Sequence, residues 1–112
     1  MIDSYTFGRI VIDGETYTND VIIFPNRVKD NWWRKEGHIL NPEDLKEVSE
    51  ESPEVLIVGK GANGRLTVPP ETRDYIESQG VDLIVEKSDK ATETYNEIKD
   101  KKKVVAAFHL TC

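Results

Sequence analysis

The feature that most constrains this chain is a run of four apolar residues, Val55–Val58, that leads directly into a glycine-rich turn, 59–64. A strand with apolar side chains on both faces must be covered on both faces, which is typical of an interior strand of a mainly parallel sheet. In such sheets ligands collect where the carboxyl ends of strands meet their loops. The run therefore predicts an α/β fold and marks the turn as the first place to look for a site.

The second half of the chain alternates between strand and helix patterns, whereas the first third is β-rich. Asp13-Gly14 predicts a hairpin turn, because glycine readily adopts positive φ. Helices are expected to begin at Pro42, Pro70 and Ser88, where proline or a capping residue favours a helix start. The interior strands are expected at 55–59, 83–86 and 104–110. The first third indicates antiparallel pairing, and the residues leave the direction of the last strand open.

Length and charge limit the classes of partner. At 112 residues the chain is expected to form one domain over 1–112, and its net charge is −6, with 21 acidic against 15 basic residues. Such a chain is repelled by phosphate backbones and anionic lipid, so neither nucleic acid nor membrane is a predicted partner. The single cysteine excludes an intrachain disulfide, and no signal-peptide pattern opens the chain. These features predict a cytoplasmic protein.

The turn spells G-x-G-x-x-G, and Glu86 ends the next strand where a ribose-binding acid would lie. A dinucleotide site needs a helix that begins inside this motif, so that its amides point at the pyrophosphate. Here the next helix pattern begins only at Pro70, so no nucleotide cofactor is predicted and the glycines are assigned to a tight turn. Lys60 and Arg65 could hold a carboxylate or phosphate against free turn amides, although two solvated charges are the favoured interpretation.

Any pocket is expected to open at the carboxyl end of the strand 55–59, with Trp33 and Arg34 as its rim. Adjacent strand residues face opposite ways, so one of Trp32 and Trp33 is expected to be buried and the other exposed. An exposed tryptophan beside arginine has the composition of a partner-binding hot spot. The expected lining residues are Gly59, Lys60, Gly61, Thr92, Tyr95 and Asn96. Tyr95 also belongs to an apolar helix stripe, and a structural role is favoured for it.

The residues able to act as nucleophiles or soft metal ligands are His38, His109 and Cys112. A structural zinc site needs four ligands, and a Cys–His catalytic pair needs mutual contact. The sequence shows neither, so no catalytic residue, metal or cofactor is predicted, and Cys112 is expected to be a packed or free thiol.

Seven short motifs lie in order along the chain: Trp33-Arg34, Pro42–Val48, Leu56–Gly61, Val68-Pro69, Thr94–Asn96, Val104–Ala107 and Phe108–Cys112. In this order and spacing they resemble the adipogenesis-associated domain family, whose relatives include the mitochondrial complex I assembly factor 3 proteins. The resemblance implies a three-layer α/β fold with a mixed central sheet and an added β-hairpin layer. It also implies cytoplasmic location, no established enzymatic activity and roles exerted through partners.

Two departures from that family matter. The chain shows no mitochondrial targeting pattern, which argues against a complex I role. Thr94 replaces the arginine found before Tyr95-Asn96 in many bacterial-type members.

The leading functional hypothesis is a non-catalytic binding, assembly or regulatory module that acts through a protein partner. The alternative is a small-molecule or anion-binding protein, or an enzyme, with its site at the Gly59-Lys60-Gly61 turn.

Overall fold

The computed structural model describes residues 1–112. They form three α-helices and eight strands, and the strands make up two sheets. The smaller sheet is an antiparallel unit formed in the order β1-β2-β3 by β1 (Ile2–Thr6), β2 (Arg9–Ile12) and β3 (Glu15–Tyr17). The larger sheet has the order β5-β4-β8-β6-β7. Its strands are β4 (Val21–Phe24), β5 (Arg27–Lys29), β6 (Val55–Lys60), β7 (Asp82–Glu86) and β8 (Val104–His109).

The larger sheet is mixed and mainly parallel, as predicted. Strand β6 runs parallel to both of its neighbours, β7 and β8. Strand β4 is antiparallel to β8, and β5 is antiparallel to β4, so β4 alone opposes the common direction. Strands β6 and β8, each with four or more consecutive buried apolar residues, are adjacent in the interior of this sheet, where burial on both faces suits them.

Helices and the smaller sheet cover the two faces of the larger sheet. A 3-10 turn over Pro42–Leu45 leads into α1 (Lys46–Glu51), and α2 (Pro70–Glu77) and α3 (Ser88–Ile98) follow. Side chains alternate along β6: Val55 and Ile57 pack in the core shared with α3 and the smaller sheet. Leu56 and Val58 pack in the second core, with α1 and α2. This alternation confirms the layered α/β architecture with an N-terminal hairpin layer.

Three expectations differ from the structure. The strand at 83–86 was expected in the interior of the sheet, but β7 lies at its edge beside β6. Trp32 and Trp33 were expected on a strand, but β5 ends at Lys29, and Asn31 adopts a φ of 54° that a strand does not accommodate. Strand β1 was not predicted, since Ile2 alone among its residues is fully buried and the polar positions give no alternating signal. No helix combines the length and apolar composition needed to cross a membrane.

Candidate functional site

The glycine-rich turn encloses the last two residues of the described chain. The Ala62 amide donates to the Thr111 carbonyl oxygen at 2.7 Å, and the amides of Asn63 and Arg65 each donate to the Cys112 carbonyl oxygen at 3.1 Å. Three amides that could have bound an anion are therefore already used by the chain's own carbonyl groups. An anion held against free turn amides, as the sequence suggested, is not compatible with this arrangement.

Close packing explains why the turn needs its glycines. A Cβ atom on Gly59 would lie 2.6 Å from the Phe108 ring and 2.9 Å from Ser88 Oγ. The Ser88 hydroxyl donates to the His109 carbonyl at 2.6 Å and accepts from the Gly61 amide at 2.9 Å. Ser88 thus joins the turn to the end of β8 and to the start of α3, and it occupies the space beside Gly59.

Helix α3 carries the remaining predicted pocket residues away from the turn. A helix rises about 1.5 Å per residue, so Tyr95 lies roughly 10 Å along the axis from Ser88. Tyr95 packs in the core, Thr92 donates its hydroxyl to the Ser88 carbonyl, and the Asn96 amide bonds to the backbone of Ile2. The structure therefore brings Gly59, Lys60 and Gly61 together but does not place Tyr95 or Asn96 beside them.

The end of β8 carries a buried charged cluster that the sequence did not reveal, formed by Asp20, Arg34 and His109. Asp20 Oδ2 lies 2.8 Å from both Arg34 Nη2 and His109 Nδ1. Asp20 Oδ1 accepts the Leu110 amide at 2.8 Å. The side chains of Arg34 and His109 are only 5% and 7% exposed. The carboxylate therefore has three donors, which is the condition under which a buried charge is tolerated.

Strand register explains how this cluster forms. In the antiparallel β4–β8 pair Val21 lies opposite Phe108 and Ile22 opposite Ala107, so the next position places Asp20 beside His109. On the other side, the parallel β6–β8 register pairs Lys60 with His109. Arg34 reaches the same place from the loop that follows β5. The signal available in the sequence was one polar residue at the corresponding end of each strand.

The hydrogen-bond pattern assigns the proton on His109. An ionised carboxylate only accepts, so His109 Nδ1 is the ring nitrogen that donates to Asp20. Burial opposes ionisation of Asp20, but hydrogen bonds from His109, Leu110 and Arg34 outweigh it and lower the pKa of Asp20 below its ordinary value. Arg34 Nη1 and His109 Nε2 are buried without a hydrogen-bond partner.

The cluster contains an oriented imidazole that forms no hydrogen bond with a thiol or hydroxyl group. The His38 and His109 ring centroids are 5.4 Å apart at an interplanar angle of 79°. No hydrogen bond links the Cys112 thiol to His109, so the Cys–His pair considered from the sequence is not formed. No group of three or more His, Cys, Asp or Glu side chains is placed to hold a metal ion.

A surface depression of about 240 Å³ opens beside the charged cluster. Trp33, 80% exposed, stands at its wall, whereas Trp32 is 4% exposed. The two adjacent tryptophans therefore differ in burial as predicted. Their depression is lined by the segment that precedes β4, the loop that follows β5 and Thr111, and by no residue of the glycine-rich turn. Its lining residues are Thr18, Asn19, Asp20, Asn31, Trp32, Trp33, Arg34, Gly37 and Thr111.

Arg34 stabilises the loop that presents Trp33. Its Nε and Nη2 atoms donate to the Gly37 carbonyl at 3.1 and 2.8 Å. Its guanidinium carbon lies 4.8 Å from the centroid of the Trp32 ring, within cation–π range. One buried side chain thus joins Asp20, Trp32 and Gly37, and fixes the backbone on both sides of Trp33.

Comparison with known proteins assigns this fold to a family. The model of the family described as "Protein of unknown function (DUF498/DUF598)" matches residues 2–109. The chain belongs to this family. The match agrees with the prediction of a small-domain family, and the finer likeness to the adipogenesis-associated and complex I assembly proteins stays a prediction.

Solved structures similar to this DUF498/DUF598 chain share its whole length. The conserved hypothetical protein PH1505 from Pyrococcus horikoshii OT3 is 29% identical, with a TM-score of 0.86 over 100% of this chain and 99% of that one. The structure titled MT938 is 28% identical, with a TM-score of 0.83 and coverages of 100% and 98%. A Mth938-like domain from Bordetella pertussis, 19% identical, has a TM-score of 0.70 over 98% and 85% and supports the fold alone.

Proposed function

We propose that this protein is a non-catalytic binding module, and that a protein partner docks on the surface formed by Trp33 and the adjoining depression. The observation that carries the proposal is the 80% exposure of the Trp33 indole beside a concave surface. Tryptophan is among the residues most enriched in binding hot spots, where its large apolar area is buried against the partner.

The support beneath Trp33 favours binding because it limits the entropy lost on association. Trp32 is anchored in the core, and the Arg34 side chain is held by Asp20 and Gly37. An aromatic side chain on such a fixed backbone has little freedom left to lose when a partner covers it. The same loop without these contacts would have to order itself on binding.

The lining of the depression suits an uncharged polar segment such as a peptide backbone. Thr18, Asn19, Asn31 and Thr111 line it, and their side chains make no hydrogen bond within the protein. Arg34 and Asp20 at its base neutralise each other. Amide and hydroxyl groups beside an exposed indole can pair with backbone N–H and C=O groups of a docked segment.

The predicted family likeness points the same way. The ending Phe108–Cys112 resembles that of the adipogenesis-associated branch, whose roles are described as assembly or regulation through partners. The same likeness supports the cytoplasm as the compartment in which this chain meets its partner.

The test uses a photo-crosslinking amino acid at position 33 in the full chain, with position 97 as the control. Glu97 is an exposed position on α3. We expect a specific partner to crosslink from position 33 and not from position 97. With the purified partner, Trp33→Ala should weaken binding by about 2 kcal/mol, roughly 30-fold, and Trp33→Phe by less. The free energy of unfolding of the Trp33→Ala variant should stay within about 0.5 kcal/mol of the wild-type value. Equal crosslinking at both positions, or undiminished binding by Trp33→Ala, would overturn the proposal.

A further inference from the structure

Two lysine side chains converge on the glycine-rich turn from different elements. A Cβ atom built on Gly64 would lie 3.4 Å from Lys60 Cε, at the end of β6, and 3.5 Å from Lys87 Cε, just before α3. Gly64 has a φ of +71° and no side chain, so no side chain at this position separates the two lysines. The parallel pairing of β6 with β7 brings the two lysines to the same edge of the sheet.

No carboxylate lies within ion-pair distance of either lysine. The adjacent Arg65 is also outside the ion pairs that engage other lysine and arginine side chains of the chain. The acidic residues nearest in sequence are committed elsewhere. The Glu86 carboxylate accepts the Thr94 hydroxyl at 2.6 Å, and the Asp89 carboxylate accepts the Lys90 amide at 2.8 Å. The chain as a whole is acidic, with a net charge of −6. Even so, Lys60 and Lys87 converge without a paired carboxylate that would offset the repulsion between their charges.

We propose that Lys60 and Lys87 form a binding site for a phosphate group above Gly64. Each ammonium group would act as a point charge and hydrogen-bond donor to a phosphate oxygen. The start of α3, which has no side-chain cap at Lys87, adds the positive end of the helix dipole. Because the turn amides are occupied by the carbonyls of Thr111 and Cys112, the lysine side chains supply the binding instead. This site is independent of the partner surface at Trp33.

The experiment follows backbone amide signals by NMR while the full chain is titrated with inorganic phosphate at constant ionic strength, with chloride as the reference anion. We expect saturable shifts of the amides of Lys60, Gly64 and Lys87. The double variant Lys60→Gln/Lys87→Gln should lose at least about tenfold in affinity, because each lysine supplies one charge-assisted hydrogen bond. The matched control is Lys90→Gln, an exposed lysine on the first turn of α3, which should bind as the wild type does.

Two further probes identify the source of the phosphate. Glucose 6-phosphate represents a free phosphorylated metabolite, and a short phosphoserine peptide represents a modified protein. A probe that binds more tightly than inorganic phosphate identifies the class of molecule whose phosphate group the site recognises. Equal affinity for both probes and for inorganic phosphate shows that the site recognises the phosphate group alone. Shifts that do not saturate, that chloride reproduces, or that persist unchanged in the double variant would overturn the proposal. Both substituted lysines lie at the surface, and a thermal unfolding curve verifies that the double variant is folded.

Discussion

At the scale of single residues, Gly61 is the position whose identity is most tightly fixed. Its φ is +98°, and a Cβ there would lie 2.4 Å from the Cys112 carbonyl carbon and 2.8 Å from His109 Cδ2. We expect Gly61→Ala to lower the free energy of unfolding by about 3 kcal/mol, since backbone strain and overpacking act together. Urea denaturation followed by circular dichroism measures this loss, and hydrogen exchange should show faster exchange of the Ala62 and Asn63 amides.

Two other glycines separate the contributions to that loss. Gly14 has a φ of +83° and open space around it, so Gly14→Ala should cost only the strain of a left-handed residue, about 1 kcal/mol. Gly37 has neither a left-handed φ nor a close neighbour, so Gly37→Ala should be nearly neutral. If Gly61→Ala cost no more than Gly14→Ala, the packing of Cys112 against the turn would not be a constraint.

At the scale of elements, Asn96 joins α3 to β1. Its Oδ1 accepts the Ile2 amide at 2.9 Å, and its Nδ2 donates to the Ile2 carbonyl at 2.8 Å, so one side chain pairs with β1 as a neighbouring strand would. We expect Asn96→Ala to cost about 2 kcal/mol, because two part-buried backbone groups lose their partners. Hydrogen exchange should rise at Ile2 more than in β6 or β8.

The matched control for this prediction is Glu97→Ala, at the next position on the same helix, where the side chain is exposed. It should leave both the free energy of unfolding and the exchange of β1 unchanged. Uniform acceleration of exchange throughout the chain in Asn96→Ala would show that the residue stabilises the whole fold and not the α3–β1 contact.

The elements also show what the sequence could predict. Strands β6 and β8 were predicted because both of their faces are apolar, and α3 because Ala91 and Tyr95 form a buried stripe. The charged cluster was not predicted, because Asp20 and His109 are 89 positions apart and meet only through the β4–β8 register. A sequence shows which residues are apolar on which face, but the register between distant strands is decided by tertiary packing.

The same limit applied to the predicted pocket. The helix start at Ser88 was predicted, yet the direction of α3 takes Tyr95 and Asn96 to the hairpin layer. The use of the turn amides by Thr111 and Cys112 also depends on where β8 ends relative to β6. Neither fact has a local signal in the residues involved.

At the scale of the whole molecule, the pH dependence of stability depends mainly on Asp20. The exposed acids Asp13 and Glu47 also have lowered pKa values, Asp13 through its hydrogen bond with the terminal amine and Glu47 through its bond with Lys29. Solvent and salt screen both of these pairs. Asp20 is largely buried between Arg34 and His109, at the junction of β4 and β8, so its contribution resists screening.

A carboxyl group whose folded pKa is lowered stabilises the protein above its unfolded pKa, and that stabilisation is lost as pH falls through the folded value. In about 0.5 M NaCl, where a Debye length of roughly 4 Å screens the surface pairs, the free energy of unfolding should therefore fall as pH drops below about 4.

At pH 7 the Asp20→Asn substitution should lower the free energy of unfolding by about 3 kcal/mol, because Arg34 keeps a buried charge without its partner. The gap between wild type and Asp20→Asn should then narrow as pH falls, since protonation removes the same charge. Asp82→Asn, at an exposed position of β7, should follow the wild-type curve throughout. A constant gap from pH 7 to pH 2 would mean that the Asp20 carboxylate does not stabilise the fold through its charge.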